Sequence, residues 1–244
     1  WKFPDLQILG RDHLSQISRV DRVITSTGWA SNLERLALKV GRSLGVPTVS
    51  YLDHWTHFLE RFREGEEVLL PDEIWVGDED AHALALKTFS GPKVRMVENC
   101  YFRDIVEEAA ELSRKNRRTD HMEGPRILYA CESISEHLSG ASPPSQSQEI
   151  VEDRAIRKFL AWLKGEHHGR VPVIRIRQHP AESPAKYQPL IQELRAEFRI
   201  ELSLGRTLVE DCVWSDWVVG VTSMALVVGL LSGKKAISCV PTNS

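Results

Sequence analysis

The stretch Trp214-Ser-Asp-Trp-Val-Val-Gly-Val-Thr-Ser-Met-Ala-Leu-Val-Val-Gly-Leu-Leu-Ser-Gly-Lys-Lys-Ala-Ile-Ser-Cys-Val-Pro241 decides how the rest of the chain reads. Trp217 to Val221 is a short apolar run suited to a strand buried on both faces. Gly220 and the pair Thr222-Ser223 punctuate it, and Met224 to Leu231 reads as a buried helix. Gly233 closes that helix, with Lys234 and Lys235 beside the negative end of its dipole. Ala236 to Val240 is the next buried strand. The turn between strand and helix offers two hydroxyls and free backbone N–H groups at a helix N-terminus, the makings of an anion site. A plain helix cap by Thr222 or Ser223 is the simpler alternative.

The same alternation runs outward along the chain. Arg22 to Thr25 reads as a strand followed by a hydroxyl- and glycine-rich turn, and Ser31-Asn-Leu-Glu34 has capping-box spacing. The helix it opens carries Leu33, Leu36, Ala37, Val40 and Leu44, and stops at Gly45 and Pro47. Thr48 to Leu52 is a strand with Asp53-His54-Trp55 at its end, and strands are also expected over Leu6 to Leu9, Leu70 to Gly77 and Lys93 to Val97. Beyond Pro125 come strands at Arg126 to Cys131, Val171 to Ile176 and Ile200 to Leu202, with helices at Glu149 to Lys164, Tyr187 to Glu197 and Thr207 to Trp214. Strands alternating with helices imply parallel sheets, with ligands at the carboxyl ends of the strands.

The fold class is therefore α/β, with two Rossmann-like parallel-sheet domains expected to face a cleft. The highly charged stretch 111–124 reads as a solvated linker between a domain over 1–110 and one over 125–244. Two complete domains of this kind would need about 300 residues or more, so the chain is expected to be partial at both ends. Ser139 to Ser147 is a loop by composition.

Composition narrows the function. The 244 residues carry a net charge of −3, which argues against a nucleic-acid binder held by a broad basic face. Cys100, Cys131, Cys212 and Cys239 show no Cys-x-x-Cys spacing, so free thiols in a reducing, cytoplasmic setting are expected. Attachment to the inner face of a membrane is left open. Gly28, Gly41 and Gly45 do not form a dinucleotide fingerprint. No metal site is expected: His54 and His57 lack a third ligand, and His167-His168 reads as a solvated loop.

Ile174-Arg-Ile-Arg-Gln-His179-Pro180-Ala-Glu182, followed some forty residues later by a strand, Thr222-Ser223 and a helix, resembles the HP and S motifs of GT-B glycosyltransferases. The likeness is to bacterial sialyl- and Kdo-transferases and polysaccharide polymerases, and more broadly to UDP-N-acetylglucosamine 2-epimerase; it covers residues 126 to 241. The resemblance implies a nucleotide sugar as substrate, a glycan or surface polysaccharide as acceptor, and no separate cofactor. It places His179, Pro180, Thr222 and Ser223 on the donor phosphate, and Glu182, Glu132 and Ser133 near the base or ribose. Fixed donors on a leaving phosphate are what such chemistry needs. The simpler alternative for His179 is a strand-end histidine stopped by Pro180; Arg175 and Arg177 share a strand face and either reach an anionic sugar or are solvated strand charge.

Transfer with inversion also needs a base for the acceptor proton. Asp53, His54 and Glu34 are the candidates, with Trp55 able to stack on a sugar. Glu34 doubles as the capping-box partner of Ser31, and the Asp/Glu-Asp-Gly motif that supplies the base in some sialyltransferases is not evident. A UDP-sugar epimerase or hydrolase of the same fold and a catalytically silent binding module stand as alternatives.

Overall fold

The computed structural model describes residues 11–28, 32–115, 124–132, 146–166, 171–180, 182–183 and 185–239. The expected strand over Leu6 to Leu9, Ser31, Ser133 and His167-His168 lie outside them. The chain divides into two compact units, Trp1–Cys100 and Tyr101–Ser244.

In the first unit β1 (Val23–Thr25), β2 (Thr48–Leu52), β5 (Glu73–Val76) and β6 (Lys93–Met96) form one parallel sheet in that order. A small antiparallel hairpin, β3 (Arg63–Glu64) with β4 (Glu67–Val68), interrupts the β2–β5 connection. The sequence reading had no strand there; its turn is set by Gly65 at φ 62°, a conformation open to glycine. Helix α1 (Leu33–Leu44) joins β1 to β2, and α2 (Glu79–Thr88) joins β5 to β6. Strands laid down consecutively with right-handed crossovers put these helices on one face. The core follows suit: Leu38 of α1 and Ala81 and Ala85 of α2 lie with Leu52, Ile74 and Val76, which share a face by strand alternation. Gly41 lets α1 sit close, because a Cβ there would stand 2.7 Å from Thr48 Cγ2. Gly45 ends α1 in the left-handed conformation, as its place after Leu44 foretells.

The second unit opens with α3 (Cys100–Lys115), whose Ile105 and Ala109 are buried in a cluster with Leu128, Val213, Val218 and Val228. The division between the units falls at Cys100–Tyr101, ahead of the expected 111–124 linker; α3 runs as far as Lys115, and residues 116–123 of that stretch lie outside the described ones. Five parallel strands follow, in the order β11 (Lys235–Ser238), β10 (Trp217–Gly220), β7 (Arg126–Ala130), β8 (Val173–Arg177), β9 (Arg199–Leu202). Chain order runs β7-β8-β9 to one side and then β10-β11 to the other, so the winding reverses between β7 and β10.

That reversal covers both faces. On one, α4 (Gln146–Glu166) and α5 (Gln188–Leu194) pack Ile156, Phe159, Leu163, Leu190 and Ile191 over Ile127, Tyr129, Ile174 and Ile176. On the other, α6 (Leu208–Trp214) and α7 (Met224–Leu231) join α3 over Leu128 and Val218. Gly229 brings α7 onto β10, since a Cβ there would meet Val218 at 2.8 Å. Both units are thus α/β with parallel sheets, and the second has a doubly wound, Rossmann-like order.

Candidate functional site

In a doubly wound sheet the crevice for a ligand opens where the strand order reverses. Here the carboxyl ends of β7 and β10 meet, and the meeting is made by one side chain. Glu132, two residues past β7, accepts hydrogen bonds from the Val221 amide (2.9 Å) and the Thr222 amide (2.7 Å) on Oε1. Its Oε2 accepts from the Thr222 hydroxyl at 2.7 Å. The turn of the opening stretch does bind an anion, and the anion is the chain's own. Ser223 is the N-cap of α7, its Oγ accepting from the Ala225 amide at 3.2 Å. The helix-cap reading holds for Ser223, while Thr222 clamps the Glu132 carboxylate.

One strand over, β8 delivers His179 and Pro180. The His179 amide donates to Glu182 Oε2 at 2.9 Å, and the Glu182 amide donates to the His179 carbonyl at 2.9 Å. Glu182 Oε1 accepts from Lys186 Nζ (2.7 Å) and from the Tyr187 hydroxyl (2.9 Å). The Glu182 side chain is wholly buried in that ion pair, so this carboxylate is spent on shaping the His179-Pro180 turn. Burial, reinforced by Cys131 and by Glu182, pushes the Tyr187 phenol far up, leaving it a permanent donor.

Arg175 and Arg177 share a face of β8, and the structure fixes both from within. Asp211 of α6, with no exposed surface, accepts from Arg175 Nη1 (3.2 Å), from Arg177 Nη1 (2.7 Å) and from the Ser203 hydroxyl. Arg175 also pairs with Glu201 at 2.7 Å and lies 3.6 Å above the Trp214 ring. Of the two openings left for these arginines, an anionic sugar or solvated strand charge, the second does not fit the buried Arg175, and Arg177, part-exposed, is also held by Asp211. Asp211 escaped the sequence reading, although its signal was present: an acid inside the apolar run Leu208-Val-Glu-Asp-Cys-Val has to find cations, and two arginines on a buried strand have to find an acid.

The first unit gathers polar groups at the carboxyl ends of its own strands. Thr27, after β1, is buried, and its hydroxyl donates to Asp53 Oδ1 at 3.2 Å. Arg61, also buried, donates from Nη1 to the Thr27 carbonyl (2.7 Å) and from Nε to the Thr56 carbonyl (3.2 Å), and its Nη1 lies 3.5 Å from Asp53 Oδ1. His54 is half-buried, with Nδ1 at 3.0 Å from the Thr56 hydroxyl. Burial and then the Arg61 cation hold its imidazole below the ordinary value. Sequence reasoning gave Arg61 no role.

The other expected residues separate. Trp55 packs against the core, and its indole N–H is held by Asp78 at 2.9 and 3.0 Å, the carboxylate that also caps α2. A ring tied in this way is a structural one. Helix α1 has Asn32 at its N-cap with no side-chain cap bond, and Glu34 accepts from the Ser26 hydroxyl at 3.3 Å. Gly28 lies beside it, where a Cβ would stand 2.8 Å from Glu34 Oε1. Among the described residues no group of three metal-ligating side chains occurs, and no helix is long and apolar enough to cross a membrane. No protein-family model matches the chain, and neither does any curated protein.

Proposed function

We propose that the protein transfers a sugar from a nucleotide-activated donor, CMP- or UDP-linked, to a glycan acceptor, in the manner of a GT-B glycosyltransferase. One observation carries the reading: the strand order of the second unit sets the Thr222-Ser223 turn and Glu132 at its reversal point, with the His179-Pro180 turn leaving the adjacent strand. Three strand ends in a row, β10, β7 and β8, then present a hydroxyl turn, a carboxylate and a histidine at the edge where doubly wound folds take nucleotides.

The chemistry divides among these groups. The anionic Glu132 takes no phosphate; it is fixed by three donors, and Oε2 keeps capacity to accept a ribose or sugar hydroxyl. The phosphate is left to the amides at the start of α7, with the His179 ring as a further donor. In the transfer the acceptor oxygen forms a bond to the anomeric carbon, the bond to phosphate breaks, and the leaving charge stays on the nucleotide. The acceptor proton needs a base, for which Asp53, His54 and Glu34 stand as the candidates.

A thermal-shift titration with CMP, CDP, UDP, GDP and ADP tests this. A ligand that binds only the folded protein stabilises it by about 2.7 kcal/mol at a hundred times its dissociation constant. One nucleotide should raise Tm, and His179→Ala and Ser223→Ala should each remove the rise. A response to UDP alone would favour a UDP-sugar enzyme, epimerase included, and silence with all five would end the transferase reading.

A further inference from the structure

We infer that Arg61 is a positioning residue, fastening the Asp53–His57 turn to the loop after β1 and so fixing in place His54, the candidate proton acceptor of this edge. The inference rests on the transferase reading only for what the proton acceptor serves. Its physical basis is a cation placed where burial makes it costly unless it is used. The Arg61 side chain is 7% exposed, against 56% for Asp53. A guanidinium keeps its charge in proteins, so this one must be held by acceptors. It takes them from two loops at once: the Thr27 carbonyl after β1 and the Thr56 carbonyl after β2.

The same residue grips the turn a second time. The Arg61 amide donates to the His57 carbonyl at 3.2 Å, and His57 holds φ at 58°, a left-handed conformation uncommon outside glycine. Both carbonyls of Thr56-His57 are thereby spoken for by one side chain and its own backbone, and His54 sits at the head of that turn with Nδ1 on Thr56. Asp53 is engaged on Oδ1 by Thr27 and by Arg61. The charges that act on His54 are Arg61 and His57, which disfavour the imidazolium, and Asp53, which favours it. Burial, the largest influence, works with the first side and holds the imidazole below its ordinary value.

An NMR titration of the imidazole, assigned with His54→Gln, reads this out on the intact chain. Removing the cation in Arg61→Gln should raise the His54 midpoint by about 0.5 pH or more, and Arg61→Lys, which keeps the charge, should restore it towards the wild-type value. Asp53→Asn should move the midpoint the other way, downward. Its side chain is largely exposed, so this variant carries the test if Arg61→Gln does not fold. An unchanged midpoint in a folded Arg61→Gln, or a rise or no change in Asp53→Asn, overturns the inference. The titration uses no substrate, so its outcome is separate from that of the nucleotide panel: the predicted shifts in a protein that binds no nucleotide would refute the transferase reading and leave Arg61 its role.

Discussion

Asp211 is the residue whose replacement should cost the second unit most. It is wholly buried and holds two arginines and a serine hydroxyl. Breaking a buried ion pair by removing one partner costs about 3–5 kcal/mol, because a charge is left buried without compensation. The structure argues for the lower end. Arg177 is 27% exposed and can turn to water, whereas Arg175, at 5%, cannot; but Arg175 keeps Glu201 and the Trp214 face. Asp211→Asn should therefore destabilise by about 3 kcal/mol. With a urea slope of about 2 kcal/mol per molar, the midpoint of the second unit falls by about 1.5 M. Hydrogen exchange of β8 and β10 peptides at increasing urea follows that unit alone. Converting the pair to apolar residues, Arg175→Met with Asp211→Leu, should recover most of the loss, as buried ion networks are often replaceable by well-packed side chains. A loss under about 1 kcal/mol in Asp211→Asn would show that the charges are not desolvated as placed, and the reasoning would fail.

Two further expectations are simpler to check. Gly229→Ala should destabilise by about 1–3 kcal/mol in urea titration, because the new methyl would press on the fully buried Val218; Gly165→Ala, with open space around it on α4, should be neutral or stabilising by up to about 1 kcal/mol. A coloured thiol reagent at pH 8 should label the exposed Cys100 fast, while Cys212, with no exposed surface and its thiol pushed by burial up to about 12, should react only on unfolding.

The alternation of strands and helices was legible because each element announced itself by a local pattern. Ile156, Phe159, Leu160 and Leu163 fall on the buried face of α4 at the helical spacing that marks them in the sequence, and the opening stretch yields β10, α7 and β11 almost residue for residue. Side-chain partnership was harder to see, because it joins residues distant in sequence. Glu132 meets Thr222 across 90 positions, and Arg61 meets Thr27 across 34. A turn rich in N–H groups says that an anion belongs there without saying whose. Arg175 and Arg177 could be put on one face of β8 from alternation, yet whether that face met water or Asp211 depended on α6 crossing it. The extent of α3 was hidden for a related reason: Ile105 and Ala109 make a thin stripe among many charges, and only packing reveals that the stripe is used.

The strand orders of the two sheets assign their edges different kinds of support. The second unit reverses its winding, so a crevice at β7 and β10 follows from topology, and apolar clusters on both faces hold the strands that form it. The described strands of the first unit run consecutively, with no reversal among them, and its main core lies on one face. Its edge has to be built by side chains instead: Thr27 on Asp53, Arg61 on two carbonyls, and Asp78 on both Trp55 and the start of α2. Substitutions at the first edge should thus be felt locally, through the geometry of one turn. At the second, a change at Gly229 or Asp211, outside the Glu132–Thr222 clamp itself, disturbs a helix packed on the sheet that carries that clamp.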